Sequence, residues 1–293
     1  MSIDRFQNKK VLVTGGAGFI GSNLIETLLK LNNQVVCLDD FSTGKRKNIE
    51  PFLLHPNFTL VEASILNEQA CIKAAQGNEV IFHQAALGSV PRSVHDPLTT
   101  HNVNLTGFVN ILNAARANGI KRVVYASSSS VYGDHPALPK VEEQTGRLLS
   151  PYAVTKMGNE LYASVFGPLY EMELMGLRYF NVFGKCQDPD SVYAAVLPKF
   201  VKALIEGQSP VINGDGTNSR DFTYIENVIQ ANILAALTEN PEALNTVYNV
   251  AYGESTNLKE LFQALVDNLK SFLPGVENIK PEFGPERPGD IKH

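Results

Sequence analysis

Tyr152 and Lys156 stand four residues apart in Tyr-Ala-Val-Thr-Lys, a spacing that puts both side chains on one face of a helix. Alone, such a pair is usually a solvated surface feature, but what precedes it changes the reading. Val123-Val124-Tyr125-Ala126 has the character of a buried strand and runs into four hydroxyls, Ser127 to Ser130. The carboxyl end of a strand in an open parallel sheet faces the crevice where ligands bind. A phenol with an ordinary pKa of about 10 is a poor base, but a neighbouring ammonium favours the phenolate. That phenolate could take the proton of an alcohol held in line by a serine, while a hydride leaves the same carbon.

A hydride needs an acceptor, and the N-terminal segment is built for one. Val11-Leu12-Val13 leads into Thr14-Gly15-Gly16-Ala17-Gly18-Phe19-Ile20-Gly21, a strand, a glycine turn and the start of a helix. Gly15 suits the tight turn, Gly18 the approach of a pyrophosphate, and Gly21 close helix–strand packing. The apolar run Val35-Val36-Cys37-Leu38 then ends in Asp39 and Asp40, where an acid would grip the adenosine ribose. Two carboxylates there would repel a 2′-phosphate, so the expected cofactor is NAD rather than NADP.

The elements that must position these groups alternate β-rich runs with helical spacing, which predicts a parallel sheet wrapped by helices. Strands are expected at 10–14, 35–39, 58–62, 79–83, 122–126 and 173–178, and single helices over 97–117 and 151–170. The fold class is α/β, a Rossmann-type doubly wound parallel sheet with a smaller C-terminal α/β substrate lobe. The expected division is 1–184 for the cofactor domain and its catalytic residues, and 185–293 for the substrate lobe, the short strand Val247–Val250 included.

Composition bounds the partners. The 293 residues are 44% hydrophobic and 19% charged with a net charge of −5, which argues against nucleic acid or an anionic membrane surface. Three widely spaced cysteines, no metal-ligand spacing among Cys or His, and no apolar leader or spanning segment predict a cytoplasmic protein without a metal. His83 is read as structural, and His95, His101 and His135 show no metal-ligand spacing.

With these residues in place, the chain resembles the extended short-chain dehydrogenase/reductases, in their branch of nucleotide-sugar 4-epimerases. The carrying motifs are the glycine segment 14–21, Ser128 ahead of Val131-Tyr132-Gly133, Tyr152-Ala-Val-Thr-Lys156, Arg178-Tyr-Phe-Asn-Val-Phe-Gly184, Ser219-Arg220-Asp221 and Arg287-Pro-Gly-Asp290. Segments 85–92, 134–140 and 187–189 most resemble bacterial epimerases of UDP-N-acetylhexosamines. The resemblance implies Tyr152 as acid/base, Lys156 orienting the nicotinamide ribose, and Ser128 holding O4 of the sugar. It places Gly15, Gly18, Phe19, Ile20, Gly21, Asp39, Phe41, Ser42, Ser64, Ile65, Ala85, Ala86, Asn104 and Tyr179 around NAD, with Tyr152 and Lys156. It places Gly88, Ser89, Arg92, Ser129, Asn181, Ala195, Val196, Asn213, Arg220, Arg287 and Asp290 around a UDP-sugar, with Ser128 and Tyr152. Relatives pair through the helices corresponding to 97–117 and 151–170, which implies a homodimer.

The expected activity is therefore 4-epimerisation of a UDP-hexose, UDP-N-acetylglucosamine and its galacto epimer first. UDP-glucose/UDP-galactose epimerisation and a non-catalytic NAD or UDP-sugar sensor are the alternatives. Dehydratases of the superfamily carry Asp-Glu, and UDP-glucuronate decarboxylases a glutamate, where this chain has Ser129 and Ser130. Three departures stand out: Ser64 replaces an aspartate that meets the adenine, Asp40 replaces a common asparagine, and the chain stops at His293. The family's acetyl-group selector is expected beyond that point, which makes the substrate lobe look C-terminally incomplete.

Overall fold

The computed structural model describes residues 2–190 and 195–285. In chain order the main elements of the first part are β1 (Lys10–Thr14), α1 (Phe19–Lys30), β2 (Gln34–Asp39), α2 (Arg46–Ile49), β3 (Phe58–Glu62), α3 (Glu68–Ala75) and β4 (Val80–His83). They continue with α4 (Val90–His95), α5 (Pro97–His101), α6 (Gly107–Ala117), β5 (Arg122–Ser128), α7 (Pro151–Tyr170) and β6 (Glu173–Tyr179). Then come β7 (Asn181–Phe183), α8 (Val196–Ile205), β8 (Val211–Asn213), β9 (Ser219–Arg220), β10 (Phe222–Tyr224) and α9 (Ile225–Leu237). The last are β11 (Val247–Val250), β12 (Thr256–Asn257), α10 (Leu258–Leu269) and β13 (Glu282–Gly284).

Seven parallel strands form one sheet in the order β11-β6-β5-β4-β1-β2-β3. Val11, Leu12, Val13, Ile81, Phe82, Val123 and Val124 are wholly buried, as continuous apolar runs must be when helices cover both faces. The strand order reverses between β1 and β4, so the loops leaving these two strands diverge and open a crevice at their carboxyl ends. The six expected strands are all present, within a residue or two at each end.

Two expectations need correction. The helical spacing over 97–117 is not one α-helix: α5 passes through a π-helical turn, Asn102–Thr106, into α6. The wider turn accompanies the inward placement of Asn104, which is buried and bonded beneath the crevice. Val247–Val250 does not belong to the second lobe. As β11 it pairs with β6 from Gly176 to Tyr179 and completes the large sheet, because β6 would otherwise be an open edge. The chain accordingly divides into 1–180 with 225–250, and 181–224 with 251–293, rather than at a single cut after 184.

The second unit holds three two-stranded pairs, β10 with β7, β12 with β9 and β13 with β8. Its core is Phe200, Leu204, Ile212, Leu258, Leu261, Phe262, Val266 and Val276. A capping box starts α10: Asn257 accepts from the Glu260 N–H at 2.9 Å, and Glu260 accepts from the Asn257 N–H at 3.0 Å. Among the described residues, no helix is long and apolar enough to cross a membrane and no three potential metal ligands gather. Cys37 and Cys71 are buried thiols, and Cys186 is exposed.

Candidate active site

The glycine turn after β1 is held so closely that side chains are excluded. Gly15 has φ +68°, and a Cβ on it would lie 2.6 Å from the Ala85 nitrogen; one on Gly21 would lie 2.1 Å from the Gly15 carbonyl oxygen. Gly18 precedes α1 and gives it no side-chain cap, which suits its first-turn N–H groups to an anion. Asp39 ends β2 under this turn. One of its oxygens accepts from the Ala17 N–H and the other from the Phe41 N–H, both at 2.8 Å. Burial nevertheless raises its pKa above the usual carboxylate value, with these two hydrogen bonds opposing the rise.

A cleft opens here at the switch point of the sheet. It is lined by Gly15, Gly18, Asp39, Ser42, Ile65, Ala85 and Ala86 of the sequence-based set. It is also lined by Leu38, Asp40, Thr43, Gly44, Ala63, Gln84, Leu87 and Val103. Of this second group only Asp40 stands out in the sequence, although Gly44 carries a structural signal: its Cβ would meet Ala17 Cβ and Asp39 Oδ1 at 2.8 Å. Gly21 is fixed against the glycine turn, and Phe19 and Ile20 open α1 rather than lining the cleft. Phe41 takes a left-handed φ of +55° and lies under the Arg46 guanidinium at 4.4 Å.

The two departures at the adenosine end meet each other. Asp40 accepts from the Ser42 N–H at 2.9 Å, and Ser42 and Ser64 together hold its pKa below the usual value although partial burial works the other way. Asn104 sits behind the cleft. Its Oδ1 accepts from the Leu87 N–H at 2.7 Å, and its Nδ2 donates to Leu87 O at 3.3 Å and to Thr155 Oγ1 at 3.1 Å. It therefore shapes the Ala85–Leu87 wall and ties it to α7. Tyr179 closes a ring with Gln84 and Asn232: Tyr179 donates to Gln84 Oε1 at 3.1 Å, and Asn232 Nδ2 donates to the tyrosine oxygen at 2.8 Å. Gln84 Nε2 completes the ring by donating to Asn232 Oδ1 at 2.9 Å.

Serine, tyrosine and lysine converge at the end of β5. Ser150 caps α7, accepting from the Ala153 N–H at 3.1 Å, and Pro151 opens the first turn, which fixes where Tyr152 and Lys156 begin their shared face. Burial raises the Tyr152 phenol pKa, and the neighbouring Ser128 hydroxyl opposes that rise. Lys156 is 3% exposed, donates to Ala126 O at 2.8 Å and lies 5.9 Å from the Tyr152 ring centre. Burial pulls its pKa down to about 8, with Glu160 acting against the fall. His83 is buried beside this group, accounted for by Thr14 Oγ1 at 2.8 Å, and burial drives its pKa down to about 3.

Not all the sequence-based residues fall in this unit. Ser89 caps α4 by accepting from the Arg92 N–H at 3.1 Å, Gly88 has no atom within 4 Å of where a Cβ would stand, and Ser129 follows Ser128 in a 3-10 turn. Asn181, Ala195, Val196, Asn213 and Arg220 belong to the second unit. There Asn181 donates to Asp221 O at 3.2 Å, Ala195 begins α8, and Arg220 bonds the Ser219 carbonyl at 2.7 Å. Arg287 and Asp290 lie outside the described residues.

Residues 11–251 match the model of the NAD dependent epimerase/dehydratase family. The chain belongs to that family. A UDP-glucose 4-epimerase of Mycolicibacterium smegmatis is 37% identical over 285 residues, 97% of this chain and 88% of the relative. A solved UDP-N-acetylglucosamine 4-epimerase from Methanobrevibacter ruminantium, in complex with UDP-N-acetylmuramic acid, superposes with a TM-score of 0.90 at 41% identity. The match covers 98% of this chain and 88% of that one. A UDP-glucuronic acid 4-epimerase from Bacillus cereus, in complex with UDP-glucuronic acid and NAD, gives 0.85 at 31% identity, covering 97% and 88%. The family's cofactor is NAD, and the glycine cradle, the Asp39 carboxylate and the cleft between them fit a dinucleotide.

Proposed function

We propose that the protein is a UDP-hexose 4-epimerase acting first on UDP-N-acetylglucosamine and its galacto epimer. The observation that carries this reading is the convergence of Ser128, Tyr152 and a buried Lys156 at the carboxyl end of β5, in the same sheet whose switch point opens the cofactor-type cleft. NAD, when bound, supplies the acceptor and later the donor of the hydride at sugar C4. Gly15, Gly18, Asp39, Ser42, Ala85 and Ala86 would hold it, and Lys156 would orient its nicotinamide ribose.

The chain's own residues do the proton chemistry. Ser128 holds the sugar O4 in line with the Tyr152 oxygen. Tyr152, whose phenolate the Lys156 ammonium and the oxidised nicotinamide would favour against the burial that raises its pKa, would take the 4-OH proton, and its phenol would return that proton when the ketone is reduced on its other face. Ser129 and Ser130 carry no carboxyl, so nothing there protonates or deprotonates neighbouring carbons, which favours epimerisation over dehydration. Asn181, Ala195, Val196, Asn213, Arg220, Arg287 and Asp290 would bind UDP, the arginines as partners of the diphosphate.

Open space at Gly88 and the small Ser89 favour an acetamido sugar. The likeness to a UDP-glucose 4-epimerase supports plain UDP-glucose as the second reading. A proton NMR time course with each sugar nucleotide and NAD tests both. Growth of a second anomeric signal is the expected result, faster with UDP-N-acetylglucosamine. No signal from either sugar in folded, NAD-binding protein would refute the proposal.

We also read the protein as a homodimer. Val154, Leu161, Val165 and Leu169 run as an exposed apolar stripe along α7, and α4 and α5 pack beside it with Val94 and Leu98 exposed. A stripe of this size is more than a monomer's scattered surface apolar residues require.

A further inference from the structure

Behind the Tyr152–Lys156 face lies a buried acid that the proton chemistry above does not use. Glu160 stands one helical turn past Lys156 on α7. Its Oε1 accepts the Ser127 hydroxyl at 2.5 Å, and Ser127 lies between Ala126, which receives Lys156, and Ser128. From β6, Arg178 grips the same carboxylate with two bonds, Nε to Oε1 at 2.9 Å and Nη2 to Oε2 at 2.7 Å. The two side chains are only 8% and 4% exposed.

Arg178 is itself fixed. Its Nη1 donates to the Tyr132 hydroxyl at 3.0 Å and to Glu142 O at 2.9 Å, and its guanidinium lies 4.9 Å over the Tyr132 ring. Tyr132 passes the chain on by donating to Asn249 Oδ1 at 2.6 Å.

A buried ion pair is weak evidence for stability, since apolar residues of similar volume often serve as well. This pair differs in what it touches. One carboxylate holds the strand end that carries Ser128 and places negative charge one turn from Lys156.

We propose that Glu160 is a positioning residue for the epimerase site: it pins the Ser127–Ser128 end of β5 and sets a carboxylate one helical turn from Lys156, while Arg178 fixes that carboxylate in place. The proposal rests on the assignment of Tyr152 and Lys156 above. The titratable and charged groups packed around Lys156 and Glu160 are Tyr152 on the same helix, His83 from β4, Tyr125 from β5 and Arg178 from β6. Burial holds His83 neutral with a pKa of about 3, and it pushes the Tyr125 phenol well up, so neither supplies the counter-charge. Burial pulls Lys156 down and Glu160 pushes it up.

The test follows the lysine directly. Protein carrying 13C at lysine Cε is titrated by NMR, with the Lys156 signal assigned by its loss in Lys156→Met. Glu160→Gln is expected to lower the Lys156 midpoint by about one pH unit and to shift the alkaline limb of turnover down with it. Glu160→Asp is expected to restore part of the shift. An unchanged midpoint in folded Glu160→Gln overturns the proposal. If that variant does not fold, Glu160→Gln with Arg178→Met removes both buried charges together. Loss of the Arg178 cation offsets part of the effect, so a smaller drop is expected there, and a midpoint that stays unchanged or rises overturns the proposal. The midpoint is read without substrate, so the expected drop in Glu160→Gln together with a wild-type protein that turns over no UDP-hexose would refute the functional assignment alone.

Discussion

Replacing Gly21 by alanine tests the cofactor cradle at its tightest point. The added Cβ would stand 2.1 Å from the Gly15 carbonyl oxygen and 2.8 Å from Gly15 C and Gly16 Cα, all backbone atoms. Even a 3.0 Å contact requires α1 and the turn to separate by about 0.9 Å, and no side-chain rotation can supply that. Overpacking of this kind costs about 1–3 kcal/mol, and rigid backbone neighbours put this site near the upper value. For a unit of this size, about 3 kcal/mol lowers the melting temperature by about 6–12 °C. NAD affinity should fall at least tenfold, because the displaced atoms form the pyrophosphate cradle. Gly18→Ala is the graded comparison: its Cβ would be 3.1 Å from the same oxygen, a contact that a small adjustment relieves, so its loss should be the smaller of the two. Thermal melts and calorimetric NAD titrations of the three proteins give the answer. A Gly21→Ala protein that melts with wild type and binds NAD equally well would refute the steric reasoning.

Tyr152→Phe should cut turnover by about 10²–10⁴-fold while NAD still binds; sugar-nucleotide NMR and a separate NAD titration check the two halves. His83 carries a pH signature, because its folded pKa of about 3 lies below the ordinary 6.5. Its stabilising share is fully present above about pH 6.5 and is lost as the pH falls towards 3, up to about 5 kcal/mol. Urea melts across that window should show a shallower acid loss in His83→Asn than in wild type. Leu161→Arg should convert a dimer into a monomer in sedimentation, and a wild-type protein that is already monomeric would refute the dimer reading.

The placement of the candidate site residues was readable where it rests on short local spacing. The glycine turn, the Asp39 terminus of β2 and the Tyr152–Lys156 pair each depend on residues within a few positions of one another, and their element types follow from burial period and caps. Asn104 was singled out as a cofactor neighbour, but its bonds to Leu87 and Thr155 arise only once α7 packs against the loop after β4. Thr43, Gly44, Gln84 and Val103 line the cleft through tertiary placement and carry no pattern of their own. Glu160 lies one turn past the Tyr152–Lys156 motif and Arg178 opens the 178–184 motif, and their pairing needs α7 packed against β6. β11 was misassigned because a four-residue apolar run says nothing about which sheet it joins.

The return of the chain to complete its first sheet bears on how the protein emerges from the ribosome. β6 is made long before its partner, and the stretch Phe180–Thr246 must be synthesised before β11 can pair with it. At about 5–20 residues per second, the Gly176–Tyr179 backbone stays uncovered for several seconds. Because this waiting edge is the strand that carries Arg178, slowed translation or truncation before residue 247 would leave a sticky β-edge beside a half-built active site.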